Sequence, residues 1–336
     1  MDNLEPITPT EALELYIEYR RNEVSAATLR SHKSRLGHFV RWCEQEDLDN
    51  LNDLTGRRLH KFRIWRRNLN GISKVTEKTQ MDTLRVFVRF LETIDAVTTD
   101  LHTKVQSPNV TPDENTRDEI LRTDRAEAVL THLEKYQYAS REHVTLALLW
   151  HSMMRRGAVR ALDLRDYHPD EQYIEVLHRP ETGTPIKNKT EGERMVALSD
   201  QMCELLDDWI ATVRPDVMDE HGREPLITTA QGRIHVTTVQ QYVYRFTRPC
   251  IYTVCPHDRN PDDCEGARRD SASKCPSSVS PHAIRRGAIT FYLESGMPEK
   301  AVGDRANVSQ EVLDQHYDRR SERDKMEQRR EFLDDI

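Results

Sequence analysis

The stretch PHAIRRGAITFYLESG, residues 281–296, governs how the second half of this chain is interpreted. We predict a helix that begins at Pro281. On a helix, His282 and Arg285 are three positions apart and share one face. The H-x-x-R pattern is not specific by itself, because it occurs five times in a chain with 14 His and 38 Arg residues. Other segments with reactive side chains must therefore decide whether this pair belongs to a site.

Further reactive side chains stand before and after this helix in the chain. Arg155 follows an apolar helix, and Tyr317 lies near the end of the chain, in LDQHYDRRS. Between Arg155 and the helix is an apparent hairpin whose turn carries Lys187 and Lys189. The position of the apolar run RMVAL favours Lys189, and Lys187 is the alternative. Taken singly, a surface arginine, a solubilising lysine and a core-capping tyrosine are the ordinary interpretations.

The order and spacing of these residues resembles the tyrosine recombinase (phage integrase) family. The segment around Arg155 resembles the family's T-G-L-R-x-x-E-L box, and HAIRR resembles its H-x-L-R-H box. The segment around Tyr317 resembles its nucleophile box. No single motif is specific, but five elements in one order are. The resemblance covers nearly the whole chain, because the N-terminal helices resemble the family's core-binding domain.

The resemblance implies strand cleavage through a covalent 3′-phosphotyrosine. Tyr317 would be the nucleophile, which needs help to ionise because free tyrosine has a pKa of about 10. The guanidinium groups of Arg155 and Arg285 would hold the non-bridging phosphate oxygens. Lys189 would give a proton to the leaving 5′-oxygen. His282 would accept the tyrosine proton or hydrogen-bond the phosphate.

The sequence departs from the family pattern at three places. Ala158 stands at the position of the glutamate in the first box, and Arg286 stands where the family often has His. The family's G-H or G-W element is replaced by DRANVS, in which Arg305 is the predicted substitute for the phosphate-contacting His or Trp. These departures leave the nucleophile and the two arginines in place.

The pattern along the 336 residues predicts a mainly α protein with a small β-sheet, arranged as a two-domain DNA clamp. Amphipathic spacing predicts four helices in a core-binding bundle, residues 1–106. Residues 107–118 have linker composition. Residues 119–336 form a predicted α+β catalytic domain of the tyrosine recombinase type. We expect helices at 140–164, 200–213 and 237–247, strands at YIEVL and RMVAL, and a Cys-rich insertion at 250–280.

Charge is distributed unevenly along this chain. The formal net charge is -8, yet residues 55–90 carry ten Lys or Arg residues and two acidic residues. A basic face on an acidic body fits a polyanionic ligand, and solvated helix faces are the alternative. The predicted DNA-binding residues are Arg57, Arg58, Lys61, Arg63, Arg66, Arg67, Lys78 and Arg85. Arg makes up 38 of the 49 basic residues, and this acidic, Lys-poor balance suggests an archaeal, halophile-like protein.

Cysteines are concentrated in the segment between Arg248 and Pro281. Cys43 and Cys203 lie in apolar helical contexts and are predicted to be small core residues. The other four have the spacing C-x4-C-x8-C-x10-C, which favours a structural zinc, with independent thiols or a disulfide pair as alternatives. The predicted ligands are Cys250, Cys255, Cys264 and Cys275, with His257 as the alternate. No cofactor is expected for catalysis.

The function predicted from the sequence is that of a site-specific DNA recombinase, or integrase, which needs no ATP. Its partner would be double-stranded DNA recombination sites, bound by a homotetramer whose C-terminal tails pack on neighbouring subunits. No run approaches membrane-span length and no secretory signal is evident, so we expect a cytoplasmic protein. Because the predicted helical bundle begins almost at once, we also expect no separate arm-binding domain. A type IB topoisomerase and a non-catalytic DNA-binding regulator are the alternatives.

Overall fold

The computed structural model describes residues 4–111, 114, 119–318 and 320–331. It divides into two compact units, Met1–Arg117 and Asp118–Ile336. Of the predicted linker 107–118, residues 112, 113 and 115–118 lie outside the described part, as do residues 332–336 of the tail.

The first unit contains the four helices expected from the apolar spacing. They are α1 (Pro9–Arg20), α2 (Ala26–Gln45), α3 (Gly56–Asn68) and α4 (Lys74–Thr93). Each helix starts after a Ser or Thr whose side chain accepts a hydrogen bond from a free N–H of the first turn. Their apolar faces meet in an aromatic core in which Phe39 packs edge-on against Phe62 and Phe87.

The second unit is mainly helical with two small sheets. Its helices are α5 (Thr123–Tyr136), α6 (Arg141–Ser152), α7 (Arg156–Ala161), α8 (Asp200–Asp208), α9 (Val236–Phe246), α10 (Pro281–Glu294), α11 (Glu299–Ala306), α12 (Gln310–His316) and α13 (Glu322–Glu331). Its strands are β1 (Tyr167–His168), β2 (Tyr173–Val176), β3 (Arg194–Ala197), β4 (Thr228–Thr229) and β5 (Gly232–Arg233). The mainly α fold class with a small sheet is therefore confirmed.

The larger sheet has the order β1-β2-β3 with antiparallel neighbours. Ile174 lies opposite Val196, and Val176 lies opposite Arg194. The inward residues of β2 and β3 are buried against the helices, because alternate residues of a strand face the same side. This register places the end of β2 beside the start of β3, and a loop of residues 177–193 joins them.

The helix predicted at 140–164 is wrong as one continuous element. It breaks after α6 at Met153, whose φ of 54° lies in the left-handed region. The Arg285 guanidinium donates to the Met153 carbonyl at 2.5 Å, so a contact from a distant helix stabilises the break. As a result, Arg155 occupies the N-cap position of α7, without a capping hydrogen bond from its side chain, rather than a position inside a helix.

Helix α10 passes through the core of the second unit. The described residues from Ala283 to Thr290 are all buried, whereas His282 in its first turn is exposed. Gly287 allows the close approach of another segment, since a Cβ there would lie 1.9 Å from the Leu121 carbonyl oxygen. The helix thus carries one exposed histidine and, one turn later, a buried arginine.

Candidate active site

Tyr317 is held at the end of α12. Its backbone N–H donates to the Leu313 carbonyl at 2.9 Å, and its carbonyl accepts a hydrogen bond from Thr290 Oγ1 at 3.1 Å. The side chain is only 3% exposed. Its hydroxyl lies 3.2 Å from Nε2 of the exposed His282, which is hydrogen-bonding distance. The histidine at the start of α10 and the tyrosine after α12 are therefore a bonded pair.

Arg285 lies beneath this pair. Its guanidinium carbon is 5.6 Å from the centre of the Tyr317 ring, and Nη2 donates to the Ala306 carbonyl at 2.8 Å. Burial lowers the pKa of Arg285 to about 10, and the nearby charge of Arg155 acts in the same direction. Both causes disfavour the positive charge in the absence of an anion.

Arg155 contacts the next residue of the same backbone segment. It is half-buried, and its Nη1 donates to the Asn307 carbonyl at 3.3 Å. Burial lowers its pKa, and the Tyr317 phenol opposes that shift. The adjacent carbonyls of Ala306 and Asn307 thus accept hydrogen bonds from two different arginines, which brings both guanidinium groups near the tyrosine.

The two candidate lysines lie on the loop between β2 and β3. Both are exposed, and within the described chain neither ammonium has a hydrogen-bond or ion-pair partner. Asn188 and Lys189 both have a left-handed backbone, with φ of 71° and 53°. A Cβ on Gly192 would meet the Lys187 carbonyl oxygen at 2.4 Å, so the loop closes tightly on itself.

Asn307 connects this loop to the arginines. Its Nδ2 donates to the Glu191 carbonyl at 2.9 Å, and its Oδ1 accepts from Asn188 Nδ2 at 2.7 Å. Its own backbone is left-handed, with φ of 54°, a conformation that Asn tolerates. Because its carbonyl also accepts from Arg155, one residue positions both the lysine-bearing loop and an arginine.

Arg194 was missed by the sequence reasoning. At the start of β3, its Nε donates to the Arg305 carbonyl and its Nη1 to the Gly192 carbonyl, both at 2.8 Å. Burial lowers its pKa to about 10, with further contributions from the charges of Arg285, Arg155 and Arg305. The available signal was an arginine that opens an otherwise apolar strand directly after the lysine-bearing turn.

The Arg305 side chain donates hydrogen bonds to two backbone carbonyls. Nη1 donates to the Ala197 carbonyl at 2.8 Å and Nη2 to the His151 carbonyl at 2.9 Å, and the guanidinium covers the Tyr292 ring. The side chain therefore links β3 to the end of α6. Its predicted contact with phosphate stays a prediction.

Ala158 and Arg286, at two of the positions where the sequence departs from the family pattern, are both buried. Ala158 is buried in α7. The buried Arg286 directs Nη1 toward the Glu119 carbonyl at 3.5 Å. Arg286 therefore has a contact with the segment that precedes α5, whereas its neighbour Arg285 contacts the tyrosine.

The basic residues predicted to contact DNA lie on α3 and α4, and they differ in exposure. Arg57, Lys61 and Arg67 are exposed, and Lys61 forms a long ion pair with Glu46 at 3.9 Å. Arg58 is half-buried. Arg66 is buried and donates to a backbone carbonyl at 3.3 Å. Only the exposed side chains are free to reach a phosphate without rearrangement.

The remaining members of this basic set are paired with carboxylates. Arg63 Nε donates to Glu77 at 2.6 Å. Asp82 accepts from Lys78 at 2.6 Å and from Arg85 at 3.0 Å. These three basic residues would have to exchange partners to contact DNA.

The four predicted cysteine ligands and His257 line one small cavity in the second unit. Cys43 and Cys203 are buried, in agreement with their interpretation as core residues. No helix in the described residues is both long enough and apolar enough to cross a membrane.

The fold and the arrangement of tyrosine, histidine and arginines define the catalytic-domain class of the tyrosine recombinases. Residues 119–322 match the model of the phage integrase family, and the chain belongs to that family. No curated protein matches the chain in sequence.

Several solved structures are similar to this chain. The Tn1549 transposon integrase in complex with a circular intermediate DNA is 16% identical over 96% of this chain and 99% of that chain, with a TM-score of 0.67. A lambda integrase dimer bound to a COC′ core site is 14% identical over 96% of this chain and 77% of that chain, with a TM-score of 0.60. At these identities the likeness shows the fold.

An N-terminal domain of a phage integrase/site-specific recombinase from Haloarcula marismortui is also similar. It is 34% identical over 31% of this chain and 99% of that chain, with a TM-score of 0.30.

Proposed function

We propose that this protein is a site-specific DNA recombinase that cleaves and rejoins strands through a covalent 3′-phosphotyrosine, without ATP. The observation that carries this proposal is the contact between the Tyr317 hydroxyl and His282 Nε2 at 3.2 Å, with Arg285 beneath the tyrosine ring. A buried tyrosine that only caps the core does not need a bonded histidine and two adjacent arginines. The arrangement supplies a nucleophile, a proton acceptor and charge neutralisation in one place.

In the proposed reaction, the Tyr317 oxygen attacks a backbone phosphorus of DNA. Its proton passes to His282, and the bond between phosphorus and the 5′-oxygen breaks as the new phosphorus–tyrosine bond forms. Lys189, on the exposed loop, gives the leaving 5′-oxygen its proton. Because the phosphodiester bond is conserved in the ester to tyrosine, reversal by an incoming 5′-hydroxyl rejoins the strand without ATP.

The electrostatics of the site support an anionic ligand. Burial lowers the pKa values of Arg285, Arg155 and Arg194, and their mutual repulsion lowers those of Arg285 and Arg194 further. Among the described residues no carboxylate forms an ion pair with any of the three. A bound phosphate would offset their charges, most strongly when the pentacoordinate phosphorus carries extra negative charge.

The exposed basic residues Arg57, Lys61 and Arg67 would position DNA through its phosphates. The similar Tn1549 and lambda integrase structures contain DNA, which favours duplex recombination sites as partners here. A homotetramer that binds two recombination sites is the proposed assembly, as the family resemblance implies. The acidic, Lys-poor composition favours function at high salt.

The proposed chemistry is tested by covalent trapping. Nicked duplexes with randomised cores are incubated with the full chain, the protein is denatured, and DNA that stays attached is sequenced. The wild-type protein should stay covalently attached to the 3′ ends of a subset of the DNA sequences. Tyr317→Phe loses one oxygen and keeps the ring, so it should bind the same sequences and trap none.

The same experiment separates the proposal from its alternatives. Failure of the wild-type protein to trap DNA of any sequence would favour a non-catalytic DNA-binding regulator. Trapping followed by relaxation of supercoiled plasmid by a monomer, without strand exchange, would favour a type IB topoisomerase. A covalent adduct formed by Tyr317→Phe would show that another residue is the nucleophile.

A further inference from the structure

Four cysteines from one stretch of the sequence, residues 250–275, line one cavity, which has a volume of about 10 Å³. That is the space of about one water-sized sphere. All four cysteines are free thiols. They are Cys250, Cys255, Cys264 and Cys275, contributed by different turns of the segment that precedes α10. The fold of this segment therefore brings four potential metal ligands to one point.

The segment that carries them has almost no core of its own. Residues 249–280, all of which are described, contain three short 3₁₀ turns and no α-helix or strand. The buried apolar side chains in this range are Pro249, Ala272, Cys275 and Val279. Ile251 and Tyr252 are partly buried against the core of the unit. This limited apolar burial offsets little of the conformational entropy of ordering more than thirty residues. Another source of folding energy is needed.

The backbone around the cavity is closely packed. A Cβ on Gly266 would lie 2.9 Å from the backbone nitrogen of Cys275 and 3.1 Å from its Cβ. The turn at Gly266, two residues after Cys264, therefore lies directly against Cys275 at the wall of the cavity.

A buried positive charge lies beside the cavity. Arg248 is 3% exposed, and its guanidinium donates to the backbone carbonyls of Arg245 at 2.9 Å and Gly266 at 2.7 Å. In the described part of the chain it forms no ion pair with a carboxylate. Arg259 also lines the cavity. Two guanidinium groups would balance the net double negative charge of one zinc ion bound by four thiolates.

We propose that Cys250, Cys255, Cys264 and Cys275 bind one structural zinc ion in tetrahedral geometry. Binding converts four thiols to thiolates and releases four protons. Within the described residues, no three His, Cys, Asp or Glu side chains already form a ligand cluster. The thiols must therefore turn inward from the cavity walls. The Nε2 of His257 bonds to Ser277 Oγ at 2.8 Å, so this residue would serve as the alternate ligand only through Nδ1.

The zinc would brace the start of α10. Arg125 Nη2 donates to the carbonyls of Thr247 at 2.7 Å and Ser277 at 2.6 Å, which ties together the two ends of the segment. The Val279 N–H donates to Thr247 Oγ1 at 3.0 Å, directly before the α10 cap. A closed zinc site between these ends would hold the exposed His282 in place. Loss of the zinc would therefore change the position of His282 while the residue itself stays in the chain.

The test measures metal content and stability of the full chain rather than activity. Protein purified without chelator should contain about one zinc per chain by elemental analysis. Cys255→Ser combined with Cys264→Ser should reduce this to near zero and lower Tm by several degrees. Cys203→Ala, a matched change outside the cavity, should retain the zinc, and so should His257→Gln.

A second measurement uses only the wild-type sequence, in case the double variant does not fold. Removal of metal with a chelator should expose four additional reactive thiols, and zinc should protect them again. Replacement by cobalt should give the absorption of a tetrahedral thiolate complex. Metal-free protein with unchanged Tm, or an intact mass that shows disulfides in native protein, would overturn the proposal. Zinc retained by the double variant would overturn the ligand assignment.

Discussion

Two clusters of arginine side chains in the second unit differ in what neutralises them. In one, buried ion pairs join three arginines to three aspartates, namely Arg179, Arg223 and Arg233 to Asp163, Asp166 and Asp219. In the other, the guanidinium groups donate to backbone carbonyls, and no carboxylate in the described chain pairs with them. Its members are Arg155, Arg194, Arg285 and Arg305.

The difference separates a structural cluster from a candidate binding site. Buried charges that are paired and hydrogen-bonded connect segments, as Arg233 does by reaching Asp163 and the Leu162 carbonyl. Buried charges without a counterion are costly, and a protein retains them where a ligand supplies the missing charge. The second cluster includes Arg285 and Arg155, which lie next to Tyr317. We therefore expect substitutions in the second cluster to affect the reaction rate, and substitutions in the first cluster to affect stability.

The largest effect should come from shortening an arginine next to the tyrosine. Arg285→Lys and Arg155→Lys keep the charge and lose the planar fork that binds two phosphate oxygens. We expect cleavage of a suicide duplex to fall by about 10²–10³-fold, with nearly unchanged DNA affinity, because the contact matters most in the transition state. Single-turnover cleavage and a binding titration measure the two quantities. Near-normal cleavage by either variant would remove that residue from the site.

A change in the neutralised cluster should act on stability instead. Asp163→Asn removes a carboxylate shared by Arg179, Arg223 and Arg233 and leaves buried positive charge. The free energy of unfolding should fall by about 3–5 kcal/mol, as for other broken buried pairs. Denaturant titration measures it, with the exposed Asp170→Asn as the control. Equal stability of the two variants would contradict the structural interpretation of this cluster.

Arg194 should give an intermediate effect on rate. Arg194→Lys keeps a positive charge close to Arg285 and Arg155 but loses part of the hydrogen bonding to the Arg305 and Gly192 carbonyls. We expect cleavage to fall by about tenfold, which is about 1.4 kcal/mol of activation free energy. Arg245→Lys on α9 is the matched control. If cleavage and Tm fell together while catalysis by the folded fraction stayed normal, Arg194 would be a structural residue only.

The smallest effects should appear in the pH dependence of stability. Burial and the nearby charge of Arg305 lower the pKa of His151 to about 4. As the pH falls, His151 takes up a proton in the unfolded chain before it does so in the folded protein. The contribution of neutral His151 to stability is therefore present above pH 6.5 and is lost as the pH falls toward 4. Burial alone would raise the pKa of Asp219, but the Arg223 backbone N–H and the Arg233 guanidinium lower it to about 2. That stabilisation is lost only as pH falls from 3.8 toward 2.

Denaturant titrations from pH 7 to pH 2 measure both windows. His151→Gln should flatten the dependence between pH 6.5 and 4, and the exposed His60→Gln should leave it unchanged. His143, whose pKa burial also lowers to about 4, contributes to the same upper window. A curve that is flat above pH 4 in the wild-type protein would contradict the assignment.

Sequence reasoning identified what depends on local patterns. The spacing of Leu84, Phe87 and Leu91 predicted α4, and the apolar runs YIEVL and RMVAL predicted two paired strands. A helix repeats every 3.6 residues and a strand every two, so one buried face leaves a readable period. Motif order also identified Tyr317, His282 and Arg285, which the structure brings together, while their catalytic roles stay predictions.

What only the tertiary structure decided depends on contacts between residues far apart in the chain. The period of residues 140–164 continues through Met153, yet a hydrogen bond from Arg285, 132 residues later, stabilises the break there. Nothing local marks Arg194 as the neighbour of Arg285 and Arg155, and nothing local distinguishes arginines with a carboxylate partner from those without one. Charge compensation is a property of three-dimensional distance, because Coulomb energy depends on separation in space and on burial. The sequence therefore determined the elements and the reactive residue types, and the fold decided which charges lack a partner.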